Sequence, residues 1–362
     1  MRRRHVVISS FDSPGNPHYD GGGAVVVEKI AQWLASDFDV TVLTAGHRSG
    51  MEMRNGVRYR HLPAAWAGPR AGQLLFHAFL PFAAGLMPAD VWIESFTPPF
   101  STSFLPLFAR GRVLGLALTL SGEAMWGRYG LPFFLVERLG LRFYRDVVVL
   151  NPADGESVRR YSPSAAVRVI PFCAELPQVD EETLGRGEHI LFLGRIDIWQ
   201  KGLDLLLAAY EQSGLTMPLI IAGNGTQGDE RSLEAMLAAT SRDVRWVGRV
   251  DGQRKEDLLR CSAFMIMPSR HEGFGIAALE GMSHGKPVVH FDLPALHWMD
   301  GDIRVAPFDV GAMAAEMRDL ARSEDARRKL GSTALAAAQE FGPEQMAERY
   351  VALVHEMLGP PA

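Results

Sequence analysis

Short runs of apolar and β-branched residues alternate along the chain with longer stretches in which apolar positions recur every three to four residues. Within the runs the apolar positions are consecutive, as in strands covered on both faces, whereas the longer stretches are typical of amphipathic helices. Six runs lie in the first half of the chain, at residues 5–10, 39–44, 90–95, 113–120, 146–151 and 167–172. Six more lie in the second half, at residues 189–194, 218–223, 244–248, 264–269, 287–292 and 303–307. This alternation predicts an α/β protein built from two βαβ-type halves of about six strands each.

Residues 171–187 separate the two halves and combine prolines, glycines and several acids without any helical or strand period. This composition is typical of a domain linker. A chain of 362 residues also suits two domains. We therefore expect one domain at residues 1–170 and another at residues 188–342, followed by an amphipathic helix that starts at Pro343.

The charge and cysteine content exclude several classes of function. A net charge of −5 argues against a nucleic-acid partner, which would require a strongly basic surface. The two cysteines, Cys173 and Cys261, lie far apart and form no CxxC pattern. This favours a reducing compartment and a cytoplasmic protein without a disulfide framework or a thiolate metal site. The apolar run after the basic N-terminus is too short for the core of a signal peptide.

Residues 71–89 carry no acidic residue, lysine or arginine, but their two prolines, one histidine and internal glycine argue against a membrane span. The apolar and aromatic segments 74–86 and 94–108 leave two interpretations open. They could form a lipid-facing surface, or they could be part of the buried core.

A stretch with candidate chemistry, HEGFGIAALE, follows the run at residues 264–269. Ligands of open parallel sheets bind beyond the carboxyl ends of the strands. Glycines allow a close backbone approach, and a helix N-terminus attracts an anion. We therefore expect a phosphate beside the backbone of Gly273, Phe274, Gly275 and Ile276.

The two carboxylates of this stretch, Glu272 and Glu280, can accept hydrogen bonds from hydroxyl groups on either side of that phosphate. A phosphate flanked by two polyols indicates a nucleotide sugar. The alternative is a glycine-capped loop with two solvated acids.

A second stretch, GRIDIWQKG, follows the first run of the second half. Its Arg195 and Lys201 lie six residues apart across a predicted βα turn, so both cations can point at one diphosphate. Either residue alone would more often form a surface salt bridge.

Together, Gly194-Arg195 through Lys201-Gly202, Glu272-Gly273-Phe274-Gly275 and Glu280 resemble the retaining glycosyltransferases of family 4. The resemblance covers the second half closely and the first half by architecture and one glycine motif. It implies the GT-B fold, in which two Rossmann-like, doubly wound domains face each other across a cleft. The first domain would lie on the acceptor side and the second would bind the nucleotide-sugar donor, with helix 343–362 packing back on the first domain.

The resemblance also implies roles for individual residues. Arg195 and Lys201 would hold the donor diphosphate and neutralise it as it leaves, Glu272 would contact the donor sugar, and Glu280 would bind the ribose. The loop at Arg249 and Val250 would lie beside the base.

The implied reaction moves a hexosyl group from a UDP- or GDP-sugar to a hydroxyl of a glycan, a lipid-linked acceptor or a small molecule. Anomeric configuration is retained by front-face attack, and the departing phosphate helps to deprotonate the acceptor. No metal, other cofactor or protein nucleophile is implied. The partners are then the donor and the acceptor, with peripheral contact to the inner face of a membrane as a further expectation.

In the first half, Gly21, Gly22 and Gly23 match the glycine-rich loop that family members close over donor and acceptor, although a merely flexible loop would look the same. Asp20 beside it is a candidate for acceptor contact. Many members carry a histidine at the end of the fourth strand of the first domain. Here Ser121 takes that place, and Glu123 is a candidate to replace the histidine.

The second half departs from the family after its fifth run. LPALHWMDGD stands where relatives often have a glutamate and a glycine-rich turn. His297 and Asp300 are therefore candidates for a role specific to this chain, beside ordinary surface or core roles.

Two other classes of function remain as alternatives. Gly223-x-Gly225-x-x-Gly228 resembles a dinucleotide fingerprint and would suggest an NAD-dependent oxidoreductase, but it follows the second strand of its half instead of the first. The other alternative is a catalytically inactive GT-B binding module. The joint presence of Arg195, Lys201, Glu272 and Glu280 argues against it.

Overall fold

A computed structural model describes residues 3–13, 22–96 and 102–359. The chain divides into two compact units. The first contains Met1–Phe172 and Glu344–Ala362, and the second contains Cys173–Pro343. The boundaries expected from the sequence were residues 170 and 342. The chain therefore returns to the first unit for its final helix.

The first unit is built on an eight-stranded sheet with the order β3-β4-β2-β1-β5-β6-β7-β8. Its strands are β1 (His5–Ser9), β2 (Asp39–Gly46), β3 (Gly50–Arg54), β4 (Val57–Pro63), β5 (Val91–Ser95), β6 (Arg112–Ala117), β7 (Asp146–Val149) and β8 (Ala166–Val169). Its helices are α1 (Gly22–Leu34), α2 (Gly68–Leu86), α3 (Gly122–Tyr129), α4 (Phe133–Leu141) and α5 (Pro152–Tyr161). The central strand β1 pairs in parallel with β2 and β5, which places Val6 opposite Val40 and Val91.

The hairpin β3–β4 was not predicted, so the expectation of about six strands is wrong for the first unit. Strand β3 pairs antiparallel with β4 at the edge of the sheet, and most of its residues are exposed. It therefore has no continuous apolar run. The turn is Asn55-Gly56, and both residues have positive φ, 49° and 77°. This dipeptide is a strong local signal for a two-residue hairpin turn.

Helix α2 divides its apolar residues between two faces. Phe76, Leu80 and Ala84 lie in a core cluster with residues of β1 and β5, whereas Phe82 and Leu86 on the other face are 72% and 82% exposed. None of the described helices is long and apolar enough to cross a membrane.

The final helix, α12 (Pro343–Leu358), buries one face against the first unit. The ring of Tyr350 lies 5.9 Å from the ring of Trp33 in α1, and Arg349 Nη2 donates a hydrogen bond of 2.7 Å to the carbonyl of Val169 in β8. These contacts explain why the amphipathic pattern after Pro343 belongs to the first unit.

The second unit contains a six-stranded parallel sheet with the order β11-β10-β9-β12-β13-β14. Its strands are β9 (His189–Leu193), β10 (Leu219–Ala222), β11 (Val244–Trp246), β12 (Ser262–Met267), β13 (Val288–Phe291) and β14 (Asp302–Val305). Its helices are α6 (Leu203–Ser213), α7 (Gln227–Ala239), α8 (Gly252–Cys261), α9 (Ile276–Ser283), α10 (Val310–Arg322) and α11 (Glu324–Ala338). Ile190 of β9 lies opposite Leu219 and Phe264, in a core cluster that also contains residues of α6, α7 and α10. The prediction of an α/β protein is confirmed.

Most of the expected linker belongs to the second unit. Cys173, Ala174 and Leu184 are buried, and the carbonyl of Gly185 accepts a 2.7 Å hydrogen bond from Arg327 Nε. The segment runs along the unit with a single 3-10 turn at Glu181–Thr183. Its buried apolar residues are isolated along the segment, so the sequence there shows no helical or strand period.

Candidate functional site

The second unit places the candidate donor loop at the carboxyl edge of its sheet. Strand β12 is buried throughout, and helix α9 begins at Ile276 directly after Gly275. Gly275 has a φ of 83°, and a Cβ there would lie 2.9 Å from Leu296 Cδ2, so the turn requires glycine. The first backbone N–H groups of a helix lack intrahelical acceptors. The edge of the sheet therefore presents anion-binding amides.

Glu272, at the start of this loop, is held by two donors. Its Oε1 lies 2.6 Å from Lys201 Nζ and accepts a 2.6 Å hydrogen bond from Ser269 Oγ. Burial acts to raise the pKa of Glu272, but the Lys201 ammonium and the Ser269 hydroxyl outweigh it and hold the pKa below its usual range. Glu272 is therefore a fixed carboxylate. The two residues that were assigned to sugar and diphosphate are bonded to each other.

A close approach of two loops makes this ion pair. Gly202 has a φ of 65°, and a Cβ there would lie 2.0 Å from the carbonyl oxygen of Pro268. The β9–α6 loop can thus lie against the end of β12. Arg270 connects the loop after β12 to the start of α6, because its guanidinium binds Asp204 through two hydrogen bonds of 2.8 and 2.6 Å.

Arg195 lies in the same β9–α6 loop, directly after Gly194. Its Nη2 donates a 3.0 Å hydrogen bond to Gln200 Oε1. Both predicted cations therefore lie on one loop. Lys201 is the one placed against the donor loop.

Glu280, in α9, has a partner that the sequence did not suggest. Its Oε1 lies 2.7 Å from Lys255 Nζ in α8. Lys255 is 25 residues away along the chain, and no local pattern connects the two. Arg249 is exposed and Val250 is partly buried, and both lie in the turn that leads from β11 into α8. The predicted ribose and base contacts thus lie on neighbouring elements.

Phe274 turns out to be a core residue. Its ring is 3% exposed and stacks on Trp298 at a centroid distance of 4.4 Å and an interplanar angle of 10°. Its carbonyl accepts a 2.9 Å hydrogen bond from Trp298 Nε1. Of the two groups in this region singled out from the sequence, His297 forms an exposed pair with Asp292 at 2.6 Å, and Asp300 is exposed. Trp298, which lies between them, was missed.

The glycine-rich motif of the first unit lies partly within a helix. Gly22 and Gly23 are the first residues of α1 instead of loop residues. A Cβ on Gly23 would lie 3.2 Å from Asp12 Oδ2, so the start of α1 packs closely beside the end of β1. Asp20 and Gly21 lie outside the described residues.

The position expected for the family histidine contains a buried network. Ser121 is 1% exposed, and in the described part of the chain no group hydrogen-bonds to its Oγ. The backbone amides of Ser121 and Gly122 donate hydrogen bonds of 3.1 and 3.0 Å to Glu137 Oε2. Glu123 forms an exposed ion pair with Arg138 at 2.6 Å. The buried carboxylate at the start of α3 is therefore Glu137, which the sequence did not single out.

The glycines of the apparent dinucleotide fingerprint are explained by packing. A Cβ on Gly223 would lie 1.8 Å from the carbonyl oxygen of Gly194, and one on Gly225 would lie 2.1 Å from that of Ile196. The amide of Gly225 donates a 2.9 Å hydrogen bond to Glu230 Oε1. Gly223 and Gly225 thus let two neighbouring loops approach each other, so packing accounts for these two glycines without a bound dinucleotide.

Two units of this kind, each built on a mostly parallel sheet connected by helices, define the GT-B class of fold. The chain is similar over 98% of its length to sucrose-phosphate synthase from Thermosynechococcus elongatus, with a TM-score of 0.81, 20% sequence identity and 99% of that chain covered. The expected GT-B fold is confirmed.

The family follows from the sequence matches. The family model described as "Glycosyl transferase 4-like domain" matches residues 21–173, and the one described as "Glycosyl transferases group 1" matches residues 187–323. The chain belongs to the group 1 glycosyl transferases.

Two relatives illustrate the extent of the similarity. A glycogen synthase of Mycobacterium tuberculosis is 31% identical over 200 residues, which cover 49% of this chain and 47% of that protein. A phosphatidyl-myo-inositol mannosyltransferase of Mycolicibacterium smegmatis is 30% identical over 204 residues, 52% of each chain. The chain thus spans about half the length of the curated relatives it matches.

Proposed function

We propose that this protein is a retaining glycosyltransferase that moves a hexosyl group from a UDP- or GDP-sugar to a hydroxyl acceptor. The observation that carries the proposal is the 2.6 Å contact between Lys201 Nζ and Glu272 Oε1 at the start of the donor loop, in a chain of this family. An ammonium group has three N–H donors, so the bond to Glu272 leaves donors for a phosphate oxygen.

The leaving diphosphate gains negative charge as the bond between the sugar and its phosphate oxygen breaks. Arg195, Lys201 and the amides at the N-terminus of α9 stabilise that charge. The acceptor hydroxyl attacks from the face that the diphosphate leaves, and its proton passes to the departing phosphate oxygen. Charge neutralisation by the two cations requires no metal, and the reaction uses no protein nucleophile.

The carboxylates have binding roles in this proposal. Glu272 is kept ionised by Lys201 and Ser269, so it accepts hydrogen bonds from sugar hydroxyls and does not supply a proton. Glu280, oriented by Lys255, accepts from the ribose hydroxyls. Arg249 and Val250 lie beside the base.

The substitution Arg195→Ala tests the leaving-group role. We expect the rate of nucleoside diphosphate release to fall about 10²- to 10³-fold, because a preorganised stabilising group is lost. Arg322→Ala, which removes an exposed arginine at the end of α10, is the matched control. A rate within a few-fold of the parent for Arg195→Ala would exclude the role.

The same assays define donor, metal use and stereochemistry. In a thermal-shift panel of UDP, GDP, ADP and TDP, the preferred nucleotide should stabilise the protein by about 2.7 kcal/mol at about 100 times its Kd. Activity should survive a chelator, and NMR of the first-formed product should show the anomeric configuration of the donor. A failure of either would remove the metal-independent or the retaining part of the proposal.

We also infer that the acceptor side of the protein contacts a membrane surface peripherally, at the inner face. The lipid-facing surface consists of exposed apolar side chains of α2 and the turn before β6, namely Leu74, Phe82, Leu86, Leu107 and Phe108. Their exposed fractions run from 47% to 82%. Large exposed apolar groups in one helical layer favour an interfacial location. Of the two relatives described, one is named as a glycogen synthase and one as a phosphatidyl-myo-inositol mannosyltransferase, so glycan and lipid-linked acceptors are both proposed.

Flotation with vesicles tests the membrane contact. At low salt the protein should float with vesicles that contain phosphatidylglycerol, and Phe82→Ser/Leu86→Ser should reduce the floating fraction severalfold. Phe308→Ser, which removes a 48% exposed ring from the second unit, is the control. A parent protein that stays wholly in the soluble fraction would refute the contact, and a double variant that floats like the parent would refute the assigned surface.

A further inference from the structure

The donor loop is supported by a cluster of three aromatic residues, Phe274, Trp298 and Phe341. The ring of Trp298 stacks on Phe274 at 4.4 Å, and the ring of Phe341 lies 4.9 Å from Trp298 and 6.0 Å from Phe274. Phe274 and Phe341 are 3% and 9% exposed. The middle of the donor loop is thus fixed from within the unit.

Trp298 makes a polar contact with the same residue on which it stacks. Its Nε1 donates a 2.9 Å hydrogen bond to the carbonyl oxygen of Phe274. That carbonyl and the N–H of Gly275 belong to one peptide unit, which is planar and has the two groups pointing in opposite directions when it is trans. A donor that holds the carbonyl therefore directs the Gly275 N–H away from Trp298.

The Phe274–Gly275 peptide lies directly before α9, with Gly275 as the N-cap residue of that helix. The carbonyl of Gly275 accepts hydrogen bonds from the amides of Ala278 and Leu279, at 2.9 and 3.1 Å. The N–H of Gly275 comes directly before the first turn, where an anion is favoured. Gly275 has a φ of 83° and is free of side-chain restraint, so its peptide depends on neighbours for a single orientation.

Phe341 links this cluster to the ends of the second unit. Its carbonyl accepts a 3.2 Å hydrogen bond from the amide of Ala174, the second residue of the unit, and Phe341 lies two residues before the last, Pro343. The ring of Trp298 therefore contacts both Phe274 in the donor loop and Phe341 near the end of the unit. It can transmit this rigidity to the donor loop.

We propose that Trp298 is a positioning residue for donor binding. It fixes the Phe274–Gly275 peptide so that the amides at the N-terminus of α9 meet the donor phosphate, and it does not touch the donor itself. This inference rests on the proposed function. It assigns a purpose to the departure LPALHWMDGD, which puts an indole N–H at a position where phenylalanine would stack but could not donate.

The test separates the hydrogen bond from the stack. Trp298→Phe keeps an aromatic ring and removes the donor, whereas Trp298→Ala removes both. We expect Trp298→Phe to weaken nucleoside diphosphate binding about five-fold, as for the loss of one hydrogen bond, and Trp298→Ala to weaken it more. The KM for the donor should rise in both variants while the KM for the acceptor stays unchanged.

Hydrogen exchange of a peptide covering residues 272–279 gives a readout that needs no ligand. Exchange there should accelerate in both Trp298 variants. Trp66→Phe is the control, because it removes a 2.9 Å indole bond to the carbonyl of Pro63 in the first unit. It should change neither the exchange of the loop nor nucleotide affinity.

The outcomes distinguish the two proposals. A folded Trp298→Ala protein with unchanged loop exchange, or with parental nucleotide affinity, would overturn the positioning role. A parent protein that binds no nucleoside diphosphate would overturn the proposed function, and loop exchange would still decide whether Trp298 orients the loop.

Discussion

The two units treat their buried carboxyl groups in opposite ways. In the second unit, Glu272 and Asp302 are each paired with a cation: Glu272 with Lys201 at 2.6 Å, and Asp302 with Arg304 at 2.7 Å. Asp302 also lies 2.9 Å from His290 Nε2. Burial alone would raise the pKa of each, but these partners lower it below the usual range.

In the first unit, the corresponding groups are held by neutral donors. Glu94, 1% exposed, accepts hydrogen bonds from the amide of Ser103 at 2.8 Å and from the hydroxyl of Tyr144. Asp154 accepts a 2.9 Å hydrogen bond from Asn151 Nδ2. Burial raises the pKa of both groups to about 7, and for Asp154 the nearby charge of Glu137 adds to the rise.

The difference follows from what each set of carboxyl groups does. Those of the second unit act as fixed charges, and in the proposed mechanism Glu272 must remain an acceptor throughout the working pH range. Those of the first unit hold loops at the carboxyl edge of the sheet: Glu94 binds the segment after β5, and Glu137 binds the amides before α3. A carboxyl group that is protonated, or that is bonded only to neutral donors, suffices to hold a loop.

The largest expected effect comes from leaving Glu272 without its cation. The side chains of Lys201 and Glu272 are only 19% and 8% exposed, so Lys201→Met should destabilise the second unit by about 3 kcal/mol and abolish transfer activity. Lys255→Met breaks the more exposed pair with Glu280, 29% and 24% exposed, and should cost about 1 kcal/mol. The urea dependence of amide hydrogen exchange in β9 and β12 measures the loss of stability in both variants.

A double variant shows whether the charge is the cause. Lys201→Met/Glu272→Gln should recover most of the lost stability, because no buried charge remains, while activity stays lost. If Lys201→Met alone left the exchange of β9 and β12 unchanged, the pair would be no more than a surface contact.

The elements of this fold were largely predictable, because most of its strands are buried on both faces. Each of the twelve predicted runs overlaps a strand of the structure. The two strands that were not predicted are β3 and β4, the outermost pair of the sheet. Residues of β3 such as Met51 and Glu52 are exposed, and β4 alternates the buried Val57 and Tyr59 with arginines, so neither strand has a continuous apolar run. The Asn55-Gly56 dipeptide was the signal in the sequence that indicates this hairpin.

The candidate site was predictable only where the parallel direction of neighbouring strands brings its residues to the same edge of the sheet. Loops after neighbouring parallel strands meet at one edge, so Lys201 and Glu272 could be placed together. Lys255, Glu137 and Trp298 reach their partners through tertiary packing, and their own segments show no motif. The direct bond between Lys201 and Glu272 also depended on the close contact at Gly202, which the sequence marks only as a glycine.

The smallest expected effect is the pH dependence of stability, which has opposite signs in the two units. A carboxyl group whose folded pKa is raised contributes stability that is complete below its unfolded pKa and is lost as the pH rises through the folded value. With the pKa of Glu94 raised from 4.5 to about 7, the first unit should lose about 1 kcal/mol between pH 6 and pH 8.5 from this group. Glu94→Gln should remove that loss, since glutamine does not titrate. In the second unit the pKa of Asp302 is lowered, so its contribution to stability should be complete above the unfolded value of 3.8 and should be lost as the pH falls below that value. Asp302→Asn should already be less stable than the parent at pH 7. Hydrogen exchange of β5 and β6 against β13 and β14, corrected for intrinsic rates at each pH, resolves the two units. Equal slopes for both units, or a Glu94→Gln slope equal to that of the parent, would show that the contrast between neutral-bonded and cation-paired carboxyl groups does not govern their stability.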